Sequence, residues 1–187
     1  ASNPSQLQSF TPEQAELILQ YVITLAQQNV EKNPADSLSQ MQLAQIYDTA
    51  ARYFYKDPDK FMAYSNLALE AIEKSIAASP GRPPVYLAKA QMQLSRGESE
   101  AAIATVRYAI SLNPRYYEGH CRLAQFYFFL EQADADNAAK YVAAEKEPLN
   151  NCIDRGGAAN VSSQTFLAQA FNYYAEVNDY ARSLLIA

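Results

Sequence analysis

The sequence predicts an all-α protein built from stacked helix–turn–helix units. The chain has 187 residues, of which 49% are hydrophobic and 19% are charged, a balance typical of a folded protein. Only five glycines are present, too few for an all-β chain with many tight turns. Prolines also recur at a helical-repeat spacing, since Pro34, Pro80, Pro114 and Pro148 are 46, 34 and 34 residues apart.

Alanines recur in step with the prolines, at a fixed distance after three of them. Ala44, Ala90 and Ala124 each lie ten residues after a proline, and Leu-Ala-Gln surrounds the first and third of them. Leu-Ala-Gln returns around Ala168, which lies 20 residues after its proline. The unit is therefore 34 residues long, with about 12 extra residues in the first unit and ten after Pro148.

The unit between Pro80 and Pro114 has the pattern of two helices. Apolar residues recur at helical spacing in two stripes, the first formed by Tyr86, Ala90 and Leu94 and the second by Ile103, Val106 and Ile110. Gly97 stands between the stripes, where a left-handed glycine ends a helix. Asn113 precedes Pro114 and is disfavoured in the α region, so the second helix ends there.

These residues resemble the tetratricopeptide repeat (TPR) family, whose unit also has 34 residues. The best match runs from Tyr86 to Pro114, and the stretches from 120 to 148 and from 37 to 80 are similar. The resemblance implies a right-handed α-solenoid of about eight helices. Lys89 is a departure, because the family pattern has a large apolar residue there, and an acidic partner for it is one of the explanations.

The repeat pattern predicts one solenoid over residues 11–187, preceded by a flexible segment, 1–10. Thr11 starts a helix that belongs to a preceding unit, and Asp57 caps the second helix of the lengthened first unit. The predicted parts are a helix at 11–34, full units at 37–80, 83–114 and 117–148, an exposed loop at 149–160, and an incomplete last unit at 161–187.

Composition and motifs argue against several kinds of function. The net charge of −5 is unlike that of a nucleic-acid binder. No run of 18 apolar residues is present, so we expect no membrane insertion by this chain. With one histidine, His120, and no Cys-x-x-Cys pair, we expect no zinc site, cofactor or catalytic centre. Cys121 and Cys152 are expected to be unrelated thiols; the alternative is a bridge that holds a loop onto a helix in an oxidising compartment.

A protein or peptide is the partner that the TPR resemblance implies. The first helix of each unit then lines a concave face, where a ladder of glutamines can bind a peptide backbone beside Arg122 and its aromatic neighbours. The predicted partner-binding residues are Gln45, Gln91, Arg122, Gln125, Phe128, Phe129, Gln169 and Tyr173. Two alternatives are open: the glutamines and phenylalanines serve only packing, or the loop from Asn150 to Asn160 is the site.

A narrower resemblance concerns three proline-containing segments. Residues 33–36, Asp57-Pro58 and residues 78–86 look similar to TPR tails of bacterial O-antigen ligase or polymerase-like membrane proteins. This resemblance implies an alternative function, an accessory domain tethered to a polytopic glycan-assembly protein, on either face of the membrane. An independent hydrolase is the outsider.

Overall fold

The computed structural model describes residues 11–156, 159, 161 and 163–186; the segment expected to be flexible, 1–10, lies outside them. Within that part of the chain all regular structure is helical, without a strand, and none of its helices is long and apolar enough to span a bilayer. The predicted all-α class of helix–turn–helix units is confirmed. The helices are α1 (Pro12–Lys32), α2 (Ser37–Tyr53), α3 (Pro58–Ala78), α4 (Pro83–Ser95), α5 (Ser99–Leu112), α6 (Tyr117–Ala133), a 3-10 turn (Ala135–Asn137), α7 (Ala138–Asp154), α8 (Gln164–Glu176) and α9 (Tyr180–Ile186).

The chain divides into two compact units, residues 1–102 and 103–187, with the division inside α5. In the first unit, α2 and α3 form the most extensive pair, and α1 and α4 pack against it. Its core runs from Ala15, Leu19 and Ile23 on α1 through Ala44 on α2 to Ile72 on α3. Lys89, the departure from the family pattern, meets Glu73 of α3 at 2.5 Å between Nζ and Oε1.

The second unit is built around the α6–α7 pair. Its apolar cluster joins three helices: Cys121, Ala124 and Phe128 from α6, Leu149, Cys152 and Ile153 from α7, and Phe166, Ala170 and Tyr174 from α8. The side chain of Arg182 ties α9 to α7, since its Nε and Nη2 donate to the two carboxylate oxygens of Asp154 at 2.8 and 2.7 Å. Such a two-point contact fixes orientation as well as distance.

Helix ends follow the local chemistry that the sequence predicts. Thr11 and Gln14 exchange hydrogen bonds between side chain and backbone, so α1 starts with a capping box. Asp57 accepts from the N–H of Lys60 at the start of α3. Gly97 is left-handed, with φ of 79°, and α4 ends in a Schellman turn in which Gly97 and Glu98 donate to the carbonyls of Leu94 and Gln93.

A side-chain latch closes three of the turns that carry the periodic prolines. In each turn, the side chain six residues after the proline bonds that proline's carbonyl. The three bonds are Gln40 Nε2 to Pro34 O (3.1 Å), Tyr86 Oη to Pro80 O (2.8 Å) and His120 Nε2 to Pro114 O (3.0 Å). His120 is buried and is the donor of its bond, so its place is structural. The recurring proline therefore does more than end a helix: it supplies an acceptor that the next helix uses.

The exposed loop expected at 149–160 is wrong for its first six residues. Helix α7 continues through Pro148 to Asp154, and Leu149, Cys152 and Ile153 are buried in the second unit. An internal proline costs about 3 kcal/mol, whereas each large apolar side chain that becomes buried contributes about 1.5–3 kcal/mol. Two such side chains are enough to carry the helix past the proline. Left-handed Gly156 ends it, and the remaining loop residues that are described are 155, 156 and 159.

The expectation of two unrelated thiols is also wrong. Cys121 and Cys152 form a disulfide, with their Cα atoms 4.7 Å apart. The bridge joins α6 to α7, not a loop to a helix as in the alternative expectation, because residue 152 is helical. Burial of the neighbouring Leu149 and Ile153 turns this side of α7 toward α6 and brings the two sulfurs together.

The last repeat is shifted by two residues from the expected register. Ala44, Ala90 and Ala124 are fully buried, as the repeat predicts, but Ala168 is exposed and Ala170 is buried in its place. The interval from Ala124 to Ala170 is 46 residues, the same as from Ala44 to Ala90. Both long units therefore carry the same 12-residue extension.

Candidate functional site

One stripe of α6, exposed at Glu118 and Phe129 and half-buried at Arg122 and Gln125, carries most of the predicted binding chemistry. Glu118, Arg122, Gln125 and Phe129 are spaced by four, three and four residues, so all four lie on the same face of the helix. The core residue Ala124 marks the opposite side. Phe129 is 55% exposed, whereas the three aromatic residues that precede it, 126–128, are buried. A cation, an amide and an aromatic ring thus share one face of the helix, which we call the α6 stripe.

The surroundings of Arg122 shift the pKa of its guanidinium in opposite directions. Partial burial lowers the pKa of its guanidinium, while nearby Glu118 and Tyr116 act in the opposite direction. An arginine whose pKa is lowered in this way still stays positively charged at physiological pH. Glu118 in turn accepts a short hydrogen bond from the Tyr116 hydroxyl. The α6 stripe therefore carries the positive charge of Arg122, with the acidic Glu118 one helical turn before it.

Phe128 is not part of this surface. It is 7% exposed and packs edge-on against Phe166 of α8, with ring centroids 5.8 Å apart. It follows Ala124 by four residues and so points into the same core. The prediction that Phe128 contacts a partner is therefore wrong, and the predicted alternative of packing applies to three of the four consecutive aromatics, residues 126–128, but not to Phe129.

Gln169 and Tyr173 lie on another side of α8 than the prediction requires. With Ala170 as the buried alanine, the residue equivalent to Gln125 is Phe171, which is 40% exposed. Gln169 is about 200° around the helix from Phe171. Tyr173 packs against the core cluster, and its pKa is raised by burial and by the charge of Glu145 on α7. The glutamine ladder therefore does not extend to α8.

The two remaining predicted residues lie in the first unit. Gln45 is exposed on α2, and Gln91 is half-buried on α4. Near Gln45, burial raises the pKa of Asp48 although Arg52 pairs with it at 3.0 Å. Thr49 Oγ1 donates to the backbone carbonyl of Gln45 at 2.9 Å.

A buried carboxyl was missed by the sequence analysis. Glu145 is 2% exposed, and its Oε2 has no hydrogen-bond partner among the residues that the structure describes. Burial, and then the nearby Glu131, raise its pKa to about 7. Helical spacing was the available signal, since Tyr141, Glu145, Leu149 and Cys152 form an i, i+4, i+8, i+11 series on one face of α7. Among the described residues no group of three His, Cys, Asp or Glu side chains is placed to hold a metal ion.

Comparison with known proteins identifies the fold. No protein-family model matches the sequence, and no curated protein matches it. Two solved structures are similar in fold. The crystal structure of MamA has 15% identity and a TM-score of 0.54 and covers 93% of this chain and 88% of its own. A thermophilic TPR protein from Thermus thermophilus has 21% identity and a TM-score of 0.56 and covers 86% of this chain and 83% of its own.

The narrower resemblance to tails of glycan-assembly membrane proteins receives no support from these comparisons. The TPR resemblance does, since one of the two similar structures is a TPR protein by its own description. At these identities the likeness concerns architecture alone. The chain has the fold of a tetratricopeptide repeat protein.

Proposed function

We propose that this chain is a non-catalytic interaction scaffold that binds a peptide or protein partner on the first-helix face, the face that the TPR resemblance predicts to be concave. The observation that carries the proposal is the α6 stripe, in which exposed Phe129 stands beside Arg122 and Gln125. The TPR-like fold supports the same class of function. No cofactor is required for this activity.

The chemistry of the α6 stripe favours one kind of ligand. Arg122 can pair with a carboxylate, from an acidic side chain or a chain terminus, through two parallel hydrogen bonds. Covering the exposed part of Phe129 with an apolar partner side chain contributes roughly half of the ~1.5–3 kcal/mol that full burial of such a side chain gives. Gln125 offers both donors and an acceptor to a peptide backbone. The expected ligand therefore has a carboxylate next to an apolar side chain.

Paired affinity capture tests this proposal. Wild-type protein, Arg122→Ala/Phe129→Ala and Tyr108→Ala are immobilised in parallel, and captured proteins are quantified by mass spectrometry. Tyr108 is a matched control, an exposed aromatic on the second helix of a unit. We expect at least one partner to bind wild type and Tyr108→Ala and to be lost from the double variant. Retention of every partner by a correctly folded double variant would contradict the proposal.

A second candidate function is favoured by one observation, the Cys121–Cys152 bridge. Disulfides persist in oxidising compartments outside the cytoplasm, and an accessory domain on the extracytoplasmic face of the membrane would lie in such a compartment. The gene that encodes this chain tests this candidate. Ten or more apolar spans in the same reading frame would support it, and a frame without them would remove it.

A further inference from the structure

A groove lies in the first unit, whereas the α6 stripe belongs to the second unit. It has a volume of about 300 Å³ and runs between α1 and α3, with α2 as its floor. Leu43 and Tyr47 form the floor and are four residues apart, on one side of α2. Gln45, between them in sequence, points about 200° away. The groove is therefore on the other side of α2 from the predicted glutamine ladder.

The groove combines an apolar interior with an acidic rim. Val30 and Glu31 of α1 line one wall of the groove, and Leu67 and Glu70 of α3 line the other. Lys74 pairs with Glu70 at 2.7 Å. Glu31 makes no ion pair within the described part of the chain, so two carboxylates here face a single ammonium group.

One polar group in the floor is already oriented. The amide of Gln27 donates to the hydroxyl oxygen of Tyr47 at 2.8 Å. A phenol that accepts in this way keeps its own proton for donation to a ligand. A ligand that enters the groove should therefore change the environment of the Gln27 side-chain amide.

We propose that this groove binds a basic segment of a partner protein, in which an arginine follows an aliphatic residue. The aliphatic side chain and the arginine stem pack between Val30 and Leu67, and the guanidinium reaches the Glu31 carboxylate on the rim. Three features support this occupant: the open apolar interior, the excess of carboxylate on the rim, and a volume at the lower end of ligand sites, suited to one or two side chains. The site belongs to a different unit from the α6 stripe and takes a ligand of the opposite charge.

The test uses two dye-labelled capped peptides, Gly-Ser-Leu-Arg-Ala-Leu-Arg-Gly-Ser and the same peptide with glutamine for each arginine. Fluorescence anisotropy gives the affinity for the full chain. We expect the arginine peptide to bind more tightly, and Glu31→Gln to weaken it about two- to five-fold, the range of an exposed ion pair. Leu67→Lys, which places a cation in the groove, should abolish binding. The NMR signal of the Gln27 side-chain amide should shift on titration.

Control variants separate this site from general attraction to an acidic chain. Glu13→Gln removes the same charge from α1 about 27 Å away and should leave the affinity unchanged. Arg122→Ala/Phe129→Ala should also leave it unchanged, whatever the fate of the proposed function. Equal effects of Glu31→Gln and Glu13→Gln, loss of binding in the double variant, a stationary Gln27 signal, or no preference for the arginine peptide would each overturn the proposal.

Discussion

At the scale of single residues, Glu145 couples stability to pH through its surroundings. Burial among α7 neighbours and the charge of Glu131 raise its pKa to about 7 in the folded protein, from an ordinary value of 4.5 in the unfolded chain. Between these two values the folded state holds a proton that the unfolded state releases. The free energy of unfolding therefore falls as pH rises through this window, by a contribution on the order of 3 kcal/mol.

Glu145→Gln removes this pH dependence, because glutamine does not titrate. We expect the variant to resemble wild type near pH 4.5 and to be more stable than wild type at pH 8, where the native carboxylate is charged and buried. Urea unfolding at a series of pH values measures the difference. Glu147→Gln, an exposed neighbour, is the control and should follow wild type. Parallel pH profiles for Glu145→Gln and wild type would show that the carboxyl does not act in this way.

The proline latch predicts a second residue-scale effect. Tyr86→Phe keeps the ring but removes the donor to the carbonyl of Pro80. The loss of one such hydrogen bond costs about 0.5–1.5 kcal/mol. Chemical denaturation measures this difference, with Tyr21→Phe as the control, since Tyr21 is an exposed tyrosine of α1. A latch without energetic value would leave the two variants equally stable.

At the scale of helices, the disulfide joins α6 and α7 covalently. Its two cysteines are 31 residues apart in sequence, and closing a loop of that length in the unfolded chain corresponds to about 3–4 kcal/mol in the chain-entropy model. We expect Cys121→Ser/Cys152→Ser to be destabilised by an amount of this order in thermal unfolding. A reducing agent should lower the melting temperature of wild type only. An unchanged melting temperature on reduction of wild type would contradict the bridge.

The helix pairs were predictable from sequence because local chemistry determines them. Glycine at 97, the caps at Thr11 and Asp57, and the spacing of alanines each act within a few residues. The end of α7 was not predictable in the same way, because Pro148 could be read as a stop. Asparagine or serine precedes the three prolines that follow helix ends, whereas Glu147 precedes Pro148. The burial that carries α7 onward comes from tertiary contacts.

At the scale of the whole molecule, the proposed binding surface could be predicted from sequence only in part. Helical spacing alone places Arg122, Gln125 and Phe129 on one face of α6, but Phe128, which was predicted with them, is buried. The extension to α8 failed because the Leu-Ala-Gln motif marks Ala168, whereas packing buries Ala170. The groove between α1 and α3 could not be predicted, since it depends on how three separate helices meet.

The proline latches also bear on how the chain folds as it is made. Each latch joins residues only six positions apart, so it closes with little loop-closure entropy. Contacts that are local in sequence form quickly and lower the contact order of a protein. A nascent chain needs only the first turn of the following helix to complete such a latch. Each latched turn can therefore form during translation, before the later helix that it positions has been synthesised in full.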